Sequence, residues 1–394
     1  MQALSKRTEE FTDSVIRRMT RISNEYGAIN LSQGFPDFEP PKELTRALAD
    51  TAVKGPHQYA ITWGAKNFRD ALSKKYEHFS GLKVDPENEI VVTCGSTEAM
   101  MATMMSIINP NDKVAIFSPF YENYGADTIL SGAEPIYIPL VPPEFNFDIN
   151  KVEDAFKEGA KAIIICNPSN PCGKVFTYDE LMAIGKLAIK YDAYIVTDEV
   201  YEHIVYAPHK HVYIQALPGL RDRVIVCNSL SKTYSITGWR LGYVIASPEI
   251  IDRVKKVHDF LTVGAAAPLM EAAVTALNFK DDYYEGLAAH YAHMKNLFTE
   301  GLKKLNLKFT DPEGAYYILL DVSEFGVKDD LKFCEWMIKN VGVAAVPGSS
   351  FFKEDVHHLV RLHFAKQDDT LNEALKRLGS LKEKAKSAAD VDWR

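Results

Sequence analysis

The sequence of 394 residues predicts an α/β fold, in which a large domain with a mainly parallel central sheet precedes a smaller α+β domain. Six continuous apolar runs of strand length lie between residues 89 and 246, and such runs are typical of strands that are covered on both faces. Amphipathic helical stretches separate several of these runs, as in a sheet built from strand–helix–strand units. After about residue 280 the pattern changes to a long helix followed by shorter strands, which indicates the second domain.

The individual elements follow from the spacing of apolar residues. The strands predicted for the large domain are 89–94, 113–117, 161–166, 193–198, 223–228 and 241–246. Helices, which show three- and four-residue steps between apolar positions, are predicted to begin near residues 97 and 121 and to cover 178–191, 282–305 and 369–386. The strands predicted for the smaller domain are 315–322, 342–348 and 358–364. The tail after Ala388 is expected to be loose.

Composition and charge argue against several classes of protein. The net charge of -8 disfavours nucleic acid or an anionic membrane as the main partner. No run approaches the roughly 20 apolar residues of a membrane span, and the N-terminal segment lacks the apolar core of a secretion signal. The five cysteines are widely spaced without a CxxC pair, which favours buried free thiols. A reduced, cytoplasmic protein is therefore expected.

Polar and charged residues follow the carboxyl ends of four predicted strands, where ligands of α/β sheets bind. One group opens a helix, and the free N–H groups of a helix N-terminus can bind a phosphate. The residues concerned are Gly95-Ser96-Thr97, Asn170 within NPSNPCGK (167–174), Asp198 with Tyr201, and Ser229, Lys232 and Arg240 within SLSKTYSITGWRLG (229–242).

Taken singly, each of these residues has a plainer structural interpretation. Small residues can cap a helix, NPSNP forms ordinary turns, an acid can be a solvated strand end or a metal ligand, and a lone lysine usually lies at the surface. Together they supply what a phosphorylated pyridine aldehyde requires. A phosphate needs N–H and hydroxyl donors and a cation, a pyridine nitrogen needs a carboxylate to stay protonated, and an aldehyde needs an amine.

The segment SLSKTYSITGWRLG resembles the lysine signature of the class I/II aminotransferases of fold type I, which depend on pyridoxal 5′-phosphate. Within this family, NLSQGFPDF, DEVYEHIVY (198–206) and VHDFLT (257–262) are most similar to the kynurenine, glutamine and methionine aminotransferase branch. The motifs that match the family in its order along nearly the whole chain are INLSQGFPDF (29–38), HQYAITWG (57–64), NPSNPCGK, DEVY, the lysine segment and VRLHF (360–364).

The resemblance implies an architecture as well as a reaction. It implies the pyridoxal-phosphate-dependent transferase fold type I and a homodimer whose active sites are shared between the subunits. It also implies three parts of the chain. These are an N-terminal arm, residues 1–40, that packs with the small domain, a large cofactor-binding domain at 41–285, and a small C-terminal domain at 286–394.

Catalytic and ring-binding roles are implied for five residues. Lys232 would carry the cofactor as a Schiff base and then move a proton between the substrate α-carbon and the cofactor. Asp198 would pair with the pyridinium nitrogen, and Tyr121 would stack on the ring. Tyr201 and Asn170 would hydrogen-bond the ring oxygen.

The same resemblance implies contacts to the phosphate and to the substrate. The substrate α-carboxylate would be bound by Gly34, Asn170 and Arg361. The implied phosphate ligands are Ser96, Thr97, Ser229, Arg240 and, from the other subunit, Tyr59.

The alternation within HLVRLHF (358–364) supports the role of Arg361 independently of the resemblance. Val360 and Leu362 share one face of the predicted strand, and Arg361 lies on the other. A strand arginine in this position can bind a carboxylate through two hydrogen bonds. An ion pair between the domains is the alternative.

Two departures from the family pattern bear on the phosphate and on the substrate. Ser96 and Thr97 stand where this branch often has a second glycine and an aromatic residue, and the serine hydroxyl can still donate to a phosphate. Some bacterial relatives with acidic substrates have a lysine at the position of Thr97, so its absence disfavours aspartate as the best donor. Phe35, Phe38 and Trp63 either form an apolar substrate pocket or belong to the core.

The leading hypothesis is a ping-pong transfer of an amino group from a neutral or aromatic L-amino acid to a 2-oxo acid. The donor would be of the kynurenine, phenylalanine, methionine or glutamine class. An aspartate/alanine-type aminotransferase and a carbon–sulfur β-lyase of the same fold are the alternatives. A nicotinamide dehydrogenase is disfavoured because no GxGxxG follows a strand. A non-catalytic regulator is disfavoured because the chain has no spare domain and retains Lys232.

Overall fold

The computed structural model describes residues 4–9, 13–388 and 391–394. Its strands are β1 (Ile29–Asn30), β2 (Ile90–Thr93), β3 (Lys113–Ser118), β4 (Glu134–Pro139), β5 (Ala160–Cys166), β6 (Tyr194–Asp198), β7 (Val224–Ser229), β8 (Gly242–Ile245), β9 (Lys308–Phe309), β10 (Tyr317–Asp321), β11 (Val343–Ala344), β12 (Val346–Pro347) and β13 (Leu359–His363). Its α-helices are α1 (Val15–Glu25), α2 (Lys42–Lys54), α3 (Lys66–Ser80), α4 (Ser96–Ile107), α5 (Asn123–Leu130), α6 (Ile149–Lys157), α7 (Tyr178–Lys190), α8 (Pro248–Thr262), α9 (Ala267–Leu277), α10 (Asp281–Lys304), α11 (Asp330–Asn340), α12 (Asp368–Leu378) and α13 (Leu381–Ser387).

Seven strands form the central sheet, in the order β2-β8-β7-β6-β5-β3-β4. Neighbouring strands are parallel except at β8, which runs antiparallel to both β2 and β7. Side chains of one strand enter apolar clusters on opposite faces, so that Ile90 and Val92 pack on one side and Val91 packs on the other. This double covering explains the continuous apolar runs, and the predicted α/β class is confirmed.

Local sequence signals fix where helices begin around this sheet. Gly95 has φ 83 and ψ 170, a conformation that permits the sharp turn from β2 into α4. Helix α7 begins with a capping box, in which Thr177 and Glu180 each accept the other's backbone N–H. Pro248 occupies the first turn of α8, where its missing N–H costs no helical hydrogen bond.

A second sheet of four antiparallel strands, in the order β12-β13-β10-β9, forms with α10, α11 and α12 around a separate apolar cluster. The N-terminal segment joins this part of the molecule. Strand β1 pairs in parallel with β11, and α1 contacts α11. Arg18 of α1 also pairs with Glu335 of α11.

Several details differ from the sequence-based expectations. Strand β4 was not predicted, because Pro135, Pro139 and its position at the sheet edge obscure the apolar pattern. The expected strand at 342–348 is divided into β11 and β12. The expected helix at 369–386 ends at Leu378 and restarts at Leu381, because Gly379 interrupts it.

The expectation of a loose tail was wrong for residues 391–394. Trp393 is 1% exposed and packs edge-on against Phe333. Its carbonyl accepts the backbone N–H groups of Lys328 and Asp329. The tail is therefore anchored by one buried aromatic residue; Ala389 and Asp390 lie outside the described residues.

The carboxyl ends of β2, β3, β5, β6 and β7 converge on one edge of the central sheet, which is where a ligand of this fold class binds. Within the described ranges, no helix has both the length and the apolar character needed to cross a bilayer.

Candidate active site

A cleft of about 820 Å³ lies at this edge of the sheet. All but one of the predicted site residues line it. Tyr59 does not, since it lies between α2 and α3 with its side chain 88% exposed. The predicted residues that line the cleft are Gly34, Ser96, Thr97, Tyr121, Asn170, Asp198, Tyr201, Ser229, Lys232, Arg240 and Arg361.

Lys232 follows β7 and extends its amine across the cleft to the N-terminal segment. Its Nζ donates to the carbonyl oxygen of Gly34 at 3.1 Å and lies between the rings of Tyr201 and Tyr316. Burial lowers the pKa of the Lys232 amine from 10.5 to about 8, and the charge of Asp198 acts in the opposite direction. A substantial neutral fraction at moderately alkaline pH makes this amine a nucleophile.

Asp198 ends β6 at the base of the cleft. Its Oδ2 accepts a hydrogen bond of 2.7 Å from the hydroxyl of Tyr124, and its Oδ1 accepts the backbone N–H of Val200. Burial raises the pKa of the Asp198 carboxyl, whereas these two donors and the amine of Lys232 oppose the rise. A cation placed against this carboxylate would be strongly favoured, because the site is shielded from water.

Tyr124 is a site residue that the sequence analysis missed. It lies in the first turn of α5, three residues after Tyr121, and both side chains line the cleft. The spacing of two tyrosines at the beginning of a helix was the available signal. It could not identify Asp198 as the partner, because the two residues are 74 positions apart.

Three tyrosines, Tyr201, Tyr316 and Tyr317, lie around Gly34 beside the cleft. The hydroxyls of Tyr201 and Tyr317 are 2.9 Å apart, and Tyr316 donates to the Gly34 carbonyl at 2.8 Å. A side chain at position 34 would collide with Tyr317, because a Cβ there would be 2.1 Å from the phenolic oxygen. The glycine therefore lets the N-terminal segment approach the tyrosines and Lys232.

Arg361 lies on β13 with its guanidinium directed into the cleft. One amino group donates to Asn170 Oδ1 at 2.7 Å and another to the carbonyl of Ser32 at 2.6 Å. The guanidinium also stacks on the rings of Tyr317 and Phe351. It is 1% exposed, and its Nε has no hydrogen-bond partner. This geometry fits a carboxylate ligand, and Asn170 is held beside it.

The turn from β2 into α4 forms a second polar end of the cleft. Arg240 has φ 52, and its guanidinium lies so close to Gly95 that a Cβ there would be 2.2 Å from Nη2. Ser96 and Ser229 line the same region. Ser231 has a buried hydroxyl with no partner. One cation, several hydroxyls and free N–H groups at the beginning of α4 make this end suitable for a phosphate.

These features fit pyridoxal 5′-phosphate. The donors around Gly95 and Arg240 could hold the phosphate, the shielded carboxylate of Asp198 suits a protonated pyridine nitrogen, and the amine of Lys232 suits the aldehyde. The orphaned hydroxyl of Ser231 is a further donor that a ligand could satisfy.

The three aromatic residues of the matched motifs separate in the structure. Phe35 lines the cleft. Phe38 instead packs against His290 and Tyr291 of α10. Trp63 packs beneath the amine of Lys255, 4.5 Å from its ring centre, and does not line the cleft. Only Phe35 is therefore placed to contact a substrate directly.

The chain is similar to known proteins over nearly its whole length. The model of the family "Aminotransferase class I and II" matches residues 26–378. The methionine aminotransferase of Escherichia coli is 34% identical over 369 residues, covering 93% of this chain and 96% of that protein. Kynurenine–oxoglutarate transaminase 3 of Rattus norvegicus is 33% identical, covering 94% of this chain and 88% of that protein.

A solved structure shows the same architecture. N-succinyldiaminopimelate aminotransferase from Mycobacterium tuberculosis superposes with a TM-score of 0.93 at 32% identity, covering 96% of this chain and all of that one. The fold expectation of pyridoxal-phosphate-dependent fold type I is thus confirmed. The chain belongs to the class I and II aminotransferases, a family of pyridoxal-phosphate-dependent enzymes.

Proposed function

We propose that this aminotransferase moves an amino group from a neutral or aromatic L-amino acid to a 2-oxo acid. The observation that supports it most is the presence in one cleft of a lysine with a lowered pKa, a shielded carboxylate and a buried arginine whose Nε has no partner. The substrate class is supported by the relatives named for methionine and for kynurenine.

Lys232 is assigned the proton transfers. When bound, pyridoxal phosphate supplies the stabilisation of negative charge at the substrate α-carbon. The neutral Nζ of Lys232 would then accept a proton from that carbon and deliver it elsewhere on the bound molecules. Its hydrogen bond to Gly34 and the rings of Tyr201 and Tyr316 restrict where the amine can move. Asp198 would hold a proton on the pyridine nitrogen, with Tyr124 fixing the orientation of the carboxylate.

The remaining residues are assigned to binding. Arg361 and Asn170 would hold the substrate α-carboxylate, and Gly34 would leave room for it. Tyr201 and Asn170 would contact the ring oxygen, and Tyr121 would stack on the ring. The phosphate would be bound by Ser96, Thr97, Ser229 and Arg240.

We also propose the division of the chain into an arm at 1–40, a large domain at 41–285 and a small domain at 286–394. The pairing of β1 with β11 supports the packing of the arm with the small domain. The two sheets and their separate apolar clusters support the other two parts.

The five cysteines are free thiols, which supports a reducing, cytoplasmic compartment.

A homodimer is the proposed assembly, with Tyr59 reaching the phosphate site of the partner. Large apolar side chains are exposed on two adjacent segments, the loop that carries Tyr59 and the end of α8. A second copy of the chain would bury them. The segments touch each other, since a Cβ at Gly264 would be 3.3 Å from the Thr62 carbonyl. The exposed residues are Tyr59, Ile61, Phe260, Leu261 and Val263.

An absorbance titration tests the function. The purified protein with pyridoxal phosphate should show a visible band that disappears when a good donor such as methionine, phenylalanine, glutamine or kynurenine is added without an oxo acid. Lys232→Arg should remove the band. Lys366→Arg is the matched control, because Lys366 is also a buried lysine with a lowered pKa that donates to a backbone carbonyl of the N-terminal segment.

Three outcomes would contradict the proposal. A band that never forms would contradict the role of Lys232. A band that persists while pyruvate accumulates from a cysteine conjugate would indicate the β-lyase instead. Loss of the band with aspartate, but with none of the neutral or aromatic donors, would indicate an acidic-substrate enzyme.

A further inference from the structure

A buried carboxylate lies unexpectedly close to the phosphate end of the cleft. Glu98 is in the first turn of α4, immediately after Ser96 and Thr97, and it lines the cleft. Both of its oxygens accept hydrogen bonds. Oε1 accepts from the Thr262 hydroxyl at 2.8 Å, and Oε2 accepts from the backbone N–H of Cys94. The carboxyl is thus ionised, and burial is outweighed by these donors and His258, so that the pKa of Glu98 is lowered.

His258, in α8, is the group that neutralises this carboxylate. Its Nδ1 is 2.6 Å from Glu98 Oε1, and its Nε2 is 2.9 Å from the carbonyl oxygen of Thr62. Both ring nitrogens therefore face acceptors. A neutral imidazole has only one N–H, so both contacts require the imidazolium. The ring is 0% exposed, and its only full counter-charge at contact distance within the described residues is Glu98.

Two further titratable groups lie near the pair. Asp259 on the same helix also favours the charged ring, and the thiol of Cys94, whose pKa is raised by burial, lies near Glu98 and Thr262. Burial alone would lower the pKa of His258, but the hydrogen bond to Glu98 and its charge reverse this, and the net pKa is raised. The contact with Glu98 therefore favours the charged form of the ring.

The pair joins three segments around the phosphate site. Glu98 holds the backbone just before Gly95 and the last turn of α8. His258 holds the carbonyl of Thr62, in the loop that carries Tyr59. The loop after α8 is strained, since the β-branched Val263 has φ 68. The hydrogen bonds of Glu98 and His258 would keep this loop in place.

We propose that His258 is a positioning residue of the phosphate site, whose imidazolium neutralises Glu98 so that a dianionic phosphate can bind beside it. Without this cation, the carboxylate of Glu98 would repel the phosphate across a poorly solvated cleft. The inference rests on the proposed function, because it concerns the same cofactor. It adds that the preference for pyridoxal phosphate over pyridoxal falls as pH rises through the pKa of His258.

The test compares pyridoxal phosphate with pyridoxal, which lacks the phosphate. His258→Gln keeps a donating amide group but removes the charge, and it should weaken pyridoxal phosphate binding about tenfold while pyridoxal binding changes less than about twofold. The double variant Glu98→Gln/His258→Gln should recover most of the lost affinity. His78→Gln is the matched control, since His78 forms a 2.6 Å pair with Asp281 that is exposed and lies outside the cleft.

Nuclear magnetic resonance of the apoprotein gives a readout that is independent of activity. At neutral pH the ring of His258 should show two N–H protons, and the loss of one of them at higher pH should parallel weaker binding of pyridoxal phosphate relative to pyridoxal by the wild-type protein. This measurement uses the wild-type protein, so it remains informative if His258→Gln does not fold.

Equal weakening of both ligands, a failure of the double variant to recover, or a neutral ring at pH 7 would overturn the inference. Each leaves the proposed function standing. Absence of the visible band in the wild-type protein with pyridoxal phosphate would instead contradict the proposed function.

Discussion

At Lys232, burial and charge act on one amine in opposite directions. Burial and the nearby cations Arg240 and Arg361 favour the neutral form, and the carboxylate of Asp198 favours the charged form. Burial prevails, and the pKa falls to about 8. A lysine at the surface would be almost fully protonated at pH 8 and would react slowly with an aldehyde.

We therefore expect the rate of pyridoxal phosphate binding to the apoprotein to rise with pH through about 8. The pKa is lower in the folded protein than in the unfolded chain, so the neutral amine accumulates between about pH 7 and pH 9. Stopped-flow absorbance at several pH values measures the rate. Nα-acetyl-lysine in the same buffers is the control, and its rate of reaction with pyridoxal phosphate should keep rising toward pH 10.5, the usual pKa of a lysine amine. Identical profiles for the protein and the model amine would contradict the expectation.

At Arg361, the geometry of the guanidinium matters more than its charge. Arg361→Lys keeps the charge but loses the two parallel donors, and we expect kcat/KM to fall on the order of 30-fold for every α-amino acid, mainly through KM. Steady-state kinetics with several donors measures this. Arg69→Lys is the control, because Arg69 is equally buried but donates to Gly64 outside the cleft. An unchanged KM for all donors would refute the assignment.

Among the elements, the turn between β2 and α4 combines two requirements at one glycine. Gly95 has a φ of 83, and it also lies against the guanidinium of Arg240. Any side chain at this position would strain the backbone and displace the cation from the phosphate end of the cleft. This turn is therefore required both for the fold and for the site.

We expect Gly95→Ala to lower the free energy of unfolding by about 1–3 kcal/mol and to weaken pyridoxal phosphate binding. Gly81→Ala is the matched control, since Gly81 also has a positive φ of 72 but has open space around it. The control should lose stability without losing cofactor affinity. Chemical denaturation and cofactor titration of both variants separate the two effects. Equal cofactor affinity in the two variants would contradict the role of the turn.

Elements with strong local patterns were predictable, and contacts across the fold were not. Strands such as β5 and β6 were predicted to within one residue, because buried parallel strands leave continuous apolar runs. The residues at their carboxyl ends were found for the same reason. Tyr124, which holds Asp198, and His258, which neutralises Glu98, depend on partners more than 70 positions away, and no local pattern encodes such pairs.

For the whole molecule, the position of Tyr59 raises the question of how one cleft is completed. In its own chain Tyr59 is exposed and does not line the cleft, whereas Lys232 does. In the proposed dimer, each site would combine Lys232 of one subunit with Tyr59 of the other. Mixing two defective variants distinguishes this arrangement from a site built by one chain.

We expect Lys232→Ala mixed with Tyr59→Ala to regain activity at limiting cofactor, after the subunits are exchanged. Each mixed dimer would contain one complete site, with Lys232 from the Tyr59→Ala chain and Tyr59 from the other. Random pairing of equal amounts would give about a quarter of the wild-type sites. If Tyr59 served its own subunit, no complete site could form. The control mixes Tyr59→Ala with the Tyr59→Ala/Lys232→Ala double variant, which contains no intact Tyr59. Recovery in both mixtures would contradict the shared site. Recovery only in the mixture of Lys232→Ala with Tyr59→Ala requires a site shared between the subunits.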